Sequence, residues 1–264
     1  MSGVSVVVVV RDEASQLPGC LERLGFADEV VVVVDDRTTD DSATIAAAAG
    51  ARVLQHRFDG FAGIKNAGLD AATKEWVVVV DADERVGPSL AREIRSVLDE
   101  DADGFHFPRV NYFYGHRMRF GGWQETHIRM IRRGAARYVG DLHETFSFVS
   151  STPRIKAINA PLHHFTHRSI IDNLHKTAVY SDVDANERLR ERAPKVDSFR
   201  LYLTVVRELL YRLVYKQGWR DGVPGVIECL YQPLSVMSTR ARLWELQQAP
   251  SIDERYLQLE REIE

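Results

Sequence analysis

The sequence predicts an α/β protein, built on a mostly parallel open sheet with helices on both faces and followed by a C-terminal helical region. Three observations predict it. Valine-rich runs at 4–10, 28–35 and 75–81 show no polar alternation, as expected of strands covered on both faces. The segments between strands have the length of helical crossovers, ~10–15 residues. From about Ser169 onward, apolar residues recur at helical spacing.

The elements follow in order. "VSVVVVV" is the first strand, and "RDEASQLPGCLERLG" carries a loop into a helix. "DEVVVVVD" is the second strand. "TDDSATIAAAAG" is a helix with a Thr/Asp/Ser-rich start, where Asp40 caps it, and a terminating Gly50. "ARVLQHR" is the third strand, "GFAGIKNAGLDAAT" a helix and "EWVVVVD" the fourth strand. Residues 104–168 are rich in aromatics, Arg and His and read as shorter strands and loops. "SIIDNLHKTAVYSDVDANERLRERA" and "DSFRLYLTVVRELLYRLVYKQG" read as helices, with "WRDGVPGV" as a turn after them. The expected divisions are therefore 1–103, 104–168 and 169–264.

A chain of 264 residues and 30.0 kDa suits one sizeable α/β domain with an appendage. A net charge of −4 and pI near 6.2 speak against wholesale nucleic-acid binding. Cys20 and Cys229 lie far apart, outside any metal-ligand spacing, and read as reduced, buried thiols of a cytoplasmic protein. Met1 leads directly into a strand, so no signal peptide is expected. No apolar run reaches the ~20 residues that span a bilayer.

The fourth strand ends in "DADE", residues 81–84. In an extended segment Asp81 and Asp83 point to one side, and two carboxylates there repel unless a cation joins them. Hard divalent cations are commonly held by one or two carboxylates together with substrate phosphates. Open parallel sheets bind ligands beyond the carboxyl ends of their strands. Asp35 and Asp36 end the second strand in the same way.

With these segments the chain resembles family 2 glycosyltransferases of the GT-A fold, and within them the bacterial lipopolysaccharide-core glucosyltransferase branch. The resemblance rests on "VVVVVRDEASQLPGCLERL", "ADEVVVVVDDRTTDDSATIAAAAGARV", "FAGIKNAGLDAATKEWVVVVDADERV", "RVNYFYGHRMRFGGW", "RMIRRGAARYVGDLHE" and "LHHFTHRS". It implies a nucleotide-sugar donor, with Asp36 accepting the imide N–H of uracil and Asp35 beside it. Lys65 falls where the family has a basic residue near the donor, to touch the nucleotide or offset negative charge. Arg11 follows the first strand on the donor side. The family has Gly or Ser where this chain has Arg37, which stays unassigned. Asp83 matches the acid that holds a divalent cation, Mn²⁺ or Mg²⁺, with Asp81 supporting it or touching the ribose. Glu84 either bridges to hold the loop or makes direct contact. His164 is the candidate to complete the metal shell, with His163 and His167 as rivals.

The resemblance further implies inversion at the anomeric carbon. Where many relatives have an E-D pair this chain has "GDLHE", so Glu144 is the expected base, Asp141 the runner-up, and His143 an orienting or acceptor-binding residue. Between Arg109 and Arg137 stand seven arginines and one acid, Glu125, interleaved with aromatics. Among nucleic-acid surface, structural loop and acceptor cleft, the last is favoured, with Trp123 stacking on a sugar and arginines meeting anionic groups. The tail's "FRLYLTVVRELLYRLVYKQGWRDG" is amphipathic and basic. It packs on the catalytic domain, pairs two copies as a homodimer, or makes peripheral contact with the inner face of the cell membrane.

The expected activity is transfer of a sugar, glucose, from a UDP-sugar to a cell-envelope glycolipid or polysaccharide. Rivals are the same chemistry on a peptide, protein or nucleobase; a sugar-phosphate nucleotidyltransferase, whose Gly-rich phosphate loop "VRDEASQLPGC" does not supply; and a non-catalytic nucleotide-binding module.

Overall fold

Strands without a polar face must be covered on both sides, and this constraint builds the first part of the protein. The computed structural model describes residues 2–140 and 144–263. They divide into a unit of residues 1–112 and 124–166 and a unit of residues 113–123 and 167–264.

In the first unit, β1 (Val4–Val10), α1 (Leu17–Leu21), β2 (Glu29–Asp35), α2 (Ser42–Ala48), β3 (Arg52–His56), α3 (Phe61–Ala71) and β4 (Trp76–Asp81) follow the expected alternation. β5 (Glu84–Val86), α4 (Pro88–Ser96) and β6 (Gly104–Phe113) come next. The short β7 (His116–Arg117) belongs to the second unit. The first unit resumes with β8 (Glu125–Arg132), β9 (Ala136–Val139), β10 (Thr145–Phe148), β11 (Ile155–Ala157) and β12 (Leu162–Phe165). The main path of the sheet runs β3-β2-β1-β4-β8-β6-β12-β5. β3, β2, β1 and β4 are mutually parallel; β8 is antiparallel to both β4 and β6.

Successive valines of one strand enter opposite cores. Val4, Val6, Val8, Val32 and Val78 pack with Leu17, Leu90 and Ile94 on one face. Val7, Val31, Val33 and Val77 pack with Ile64 and Leu69 on the other. Both faces are dry, so unbroken valine runs are the sequence that such strands require.

The middle segment departs from the expectation of short strands. β6 has ten residues and joins the main sheet between β8 and β12. Its register with β12 sets Asn111 opposite His164, and β12 in turn sets His164 opposite Glu84.

The second unit is helical, with α5 (Ile170–Arg190), α6 (Ser198–Leu210), α7 (Gly222–Leu246) and α8 (Ile252–Ile263). Ser169 and Asp197 cap α5 and α6 by accepting from Asp172 N and Arg200 N. α6 continues only as a π-helical turn, Tyr211–Tyr215. The predicted turn "WRDGVPGV" is mostly helix. A 3₁₀ turn covers Gly218–Asp221, and α7 begins at Gly222 with Pro224 in its first turn, where a missing N–H costs little.

Gly68 lets α3 lie against β1: a Cβ there would meet Val7 Cγ1 at 2.3 Å and Val33 Cγ2 at 3.1 Å. Gly68→Ala is expected to cost about 1–3 kcal/mol by overpacking, read as a lowered denaturant midpoint with unchanged slope.

Candidate functional site

Every charged group of the site belongs to the first unit. Parallel register brings Asp81, at the end of β4, level with Val9 of β1, and Asp35 ends the neighbouring β2. The carboxylates therefore share one edge of the sheet.

Asp81 and Glu84 share one guanidinium. Arg129 Nη2 donates to Asp81 Oδ2 at 2.9 Å and to Glu84 Oε1 at 2.6 Å. Glu84 is 0% exposed and Arg129 7%. Glu84 Oε2 also accepts from Asp81 N at 2.9 Å, which closes the 81–84 loop. Burial pushes the Glu84 carboxyl above its usual range. Burial pushes Asp81 the same way, but Arg129 and Lys65 outweigh it, and its carboxyl lies below the usual range. Of the two readings for Glu84, the bridge that holds the loop is the one present.

Asp83 is the member of the cluster that turns to His164. Asp83 Oδ2 lies 3.2 Å from His164 Nε2, and Phe165 N donates to Asp83 O at 2.8 Å. His164 Nδ1–H donates to Asn111 Oδ1 at 2.7 Å, which turns Nε2 toward the carboxylate. Neighbouring ligands of an octahedral cation, each ~2.1 Å from it, stand about 3 Å apart, so one imidazole nitrogen and one carboxylate oxygen at this spacing fit a divalent ion. Among the described residues, no cluster of three or more His, Cys, Asp or Glu is arranged to hold a metal. A cation here would take its other oxygens from phosphate and water.

The rival histidines lie elsewhere. His163 alternates to the opposite side of β12, where its Nδ1 is 3.2 Å from Tyr112 Oη. His167 is in the second unit, donating to Glu228 Oε2 at 2.9 Å.

On the other side of Asp81, Lys65 of α3 forms an ion pair with Glu144, and its ammonium stands 5.2 Å from the Tyr138 ring centroid. Lys65 thus offsets negative charge on both Glu144 and Asp81. Asp141 and His143 lie outside the described residues.

At the end of β2, Asp36 is exposed and its Oδ1 accepts from Phe58 N at 3.2 Å. Asp35 is instead buried and receives Arg37 bidentately, Nε to Oδ1 at 2.9 Å and Nη2 to Oδ2 at 2.6 Å. The Arg37 guanidinium lies 3.7 Å from the Phe58 ring centroid. Arg11 is exposed, 3.8 Å from Asp12. Asp40 ties two loops by accepting from Ala14 N and Ser42 N at 2.8 and 3.0 Å.

Two expectations for the aromatic, basic middle are corrected. Trp123 is 6% exposed, with Phe113 at its edge and the Arg212 guanidinium 4.0 Å from its ring centroid. It is packing for the second unit and offers no open face to a sugar. Four of the seven arginines are also met by acids of the chain itself. Arg109 pairs with Glu125, Arg132 with Glu75, Arg137 with Asp70, and Arg129 with the loop acids. Their partners come mostly from the first hundred residues, so a local charge count overstates what is left for an acceptor.

Sequence reading missed Arg129, Asn111 and the Arg37–Phe58 stack. A signal existed for Arg129: in "THIRMIR" it stands between Ile128 and Met130 in a strand, a place where a charged side chain needs a buried partner.

The sequence family "Glycosyl transferase family 2" matches residues 5–164. The lipopolysaccharide core biosynthesis glycosyltransferase LpsC of Rhizobium meliloti (strain 1021) is 26% identical over 264 residues, spanning 95% of this chain and 96% of its own. The uncharacterized glycosyltransferase RT0209 of Rickettsia typhi (strain ATCC VR-144 / Wilmington) is 22% identical over 258 residues, 93% of this chain and 88% of its own. S. aureus TarS 1-349, solved in complex with UDP-GlcNAc, superposes with a TM-score of 0.49 at 14% identity, covering 92% of this chain and 88% of that one.

The Asp35–Arg37 pair carries a pH signature. Hydrogen bonds from Arg37 hold the Asp35 carboxyl below its usual range despite burial. A lowered folded value means stability that is present above the unfolded value, about pH 4, and lost as pH falls. Arg37→Gln is expected to cost about 1–2 kcal/mol at neutral pH, discounted because the arginine is partly in water. The gap to wild type should narrow as pH falls below about 4, as urea unfolding at neutral and at acidic pH would show.

Proposed function

This chain belongs to glycosyl transferase family 2 and is a glycosyltransferase, and from that premise we propose that it moves glucose from a UDP-sugar to a cell-envelope glycolipid or polysaccharide, with inversion and with a divalent cation. One observation carries the metal-dependent reading: Asp83 and His164 stand 3.2 Å apart, with Asp83 just beyond the carboxyl end of β4 and β1 lying between β4 and β2, which ends at Asp35. Their donor atoms fit Mn²⁺ or Mg²⁺ shared with a diphosphate. The acceptor class is supported by the name of LpsC, a lipopolysaccharide core enzyme that matches nearly end to end.

Residues 1–103 bind the donor in this reading. Asp36 exchanges Phe58 N for the uracil imide, and Arg37 and Phe58 flank it. Asp81, fixed by Arg129, faces the ribose, and Asp83 with His164 holds the cation. A divalent ion bound there neutralises the charge that builds on the departing diphosphate. Residues 104–168 serve the acceptor side. The acceptor hydroxyl attacks the anomeric carbon from the face opposite the nucleotide and passes its proton to the Glu144 carboxylate, which Lys65 holds in place. Asp141 is the alternative base.

Two measurements test this. UDP with Mn²⁺ is expected to stabilise the protein by about 2.7 kcal/mol at a hundredfold excess over Kd, seen as a thermal shift. Asp83→Asn should remove the metal-dependent part of that shift. A preference for a nucleotide other than UDP would overturn the role given to Asp36. Glu144→Gln is expected to lower turnover ~10²–10⁴-fold while the donor-induced shift survives; unchanged turnover would reject Glu144 as the base.

A further inference from the structure

Helices of water-soluble proteins turn apolar residues inward and polar ones outward. α7 of the second unit departs from that rule: it buries Glu228 beside Cys229, Pro233 and Leu243, and its exposed residues are largely apolar. Its buried row contains Glu228, 0% exposed, whose carboxylate is engaged by His167, by Gln232 Nε2 at 2.8 Å and by the Tyr114 hydroxyl at 3.4 Å. Tyr231 is also buried and donates from its hydroxyl to Asn173 O at 2.7 Å. The outward row is Val223, Val226, Ile227, Leu230, Leu234 and Met237, at helical spacing, with Val223 72% exposed. That stripe runs for about 20 Å at ~1.5 Å per residue.

α6 and the turns after it repeat the pattern. Phe199, Tyr202, Leu203 and Leu210 are exposed along α6, Phe199 at 68%. Val214, Tyr215 and Trp219 continue the exposure, Tyr215 at 74%. Scattered surface hydrophobics need no explanation, but contiguous stripes on two helices do. No described helix is long and apolar enough to cross a membrane.

Charge decides what covers them. Between residues 198 and 242 stand seven basic residues, Arg200, Arg207, Arg212, Lys216, Arg220, Arg240 and Arg242, against three acids. Asp221 and Glu228 are buried. Arg212 pairs with Glu208, Arg200 with Asp197, and Arg242 with Asp182 and Glu245, which leaves Arg207, Lys216, Arg220 and Arg240 as the basic charges with no ion pair among the described residues. A second copy would set cations against cations. An anionic lipid surface offers opposite charge outside and hydrocarbon beneath, and Tyr and Trp suit the headgroup level between them.

We propose that the outward faces of α6 and α7 form a lipid-docking surface, on which the second unit lies in the headgroup plane of an anionic membrane. This inference does not rest on the transfer reaction, and its test contains no nucleotide. The full chain is mixed with phosphatidylcholine vesicles with and without phosphatidylglycerol, in low and high salt, and separated by flotation. Binding is expected to rise at least about tenfold with phosphatidylglycerol and to fall with salt, since each basic residue near the surface contributes about 1 kcal/mol. The double variant V223D/L230D, at exposed positions, should lose vesicle binding by about tenfold or more while its melting temperature stays unchanged. An independent reading is quenching of tryptophan fluorescence by brominated lipid, expected to fall in Trp219→Phe. Absence of binding to either vesicle would overturn the proposal. So would a dimer by light scattering that V223D/L230D dissolves while vesicle binding persists.

Discussion

One guanidinium holds the site together. Arg129 is buried between Asp81 and Glu84, and the fully buried Glu84 carboxylate depends on it for its close ion pair. Removing one partner of a buried ion pair commonly costs about 3–5 kcal/mol, because the remaining charge has no water to turn to. Here the stranded group would be Glu84, since Asp81 is partly in water and also faces Lys65. Among the described contacts of the Glu84 carboxylate the next cation is Arg109, at 3.9 Å, while Arg85 ties the loop backbone by donating to Ala82 O at 2.7 Å and Glu84 O at 2.8 Å. The loop is therefore fixed from below, and Asp83, which Arg129 does not hold, is left to face His164. The division of labour within "DADE" follows: two acids belong to the scaffold and one to the ligand side.

Much of this was legible in the sequence. Valine runs specified dry strands, and helix-length intervals specified parallel pairing. The acids at 35, 36, 81 and 83 then had to lie at one edge. What was not legible depends on contacts between distant segments. Nothing near His164 in the chain says that β12 lies between β5 and β6, yet that placement brings Asn111 and Asp83 to its two ring nitrogens. The arginines of 109–137 looked unbalanced because their acids come from residues 70, 75 and 84. Trp123 looked like a sugar platform because it stands among arginines and other aromatics, while Arg212, some ninety residues later, covers its ring. At "WRDGVPGV" the breakers were read as a turn, but a proline in a first turn starts a helix as readily as it ends one.

Arg37 shows the same limit at close range. Family 2 resemblance left it unexplained, since a small residue was expected there. Its guanidinium satisfies the buried Asp35 on one edge and stacks on Phe58 with its face. A small residue would leave the buried Asp35 carboxylate without its bidentate partner, with only the field of Arg11 nearby. The substitution is thus coupled to its neighbour two positions earlier, and the two should be considered together wherever donor binding is discussed.

The two units spend the same residue type in opposite ways. In the sheet, Val6, Val7, Val8, Val31, Val32 and Val33 are all fully buried, because both faces are covered by the chain itself. In α7, Val223 and Val226 point outward while Glu228 is enclosed with its hydrogen bonds met. Burying a carboxylate is tolerable only when its partners are fixed, and exposing an aliphatic stripe forgoes about 25 cal/mol for each square ångström left in water. A helix that does both at once is not completed by its own fold. The charges without an ion pair among the described residues of 198–242 are basic, Arg207, Lys216, Arg220 and Arg240, so a surface that is apolar in depth and anionic outside fits it, and a bilayer leaflet has that order of layers.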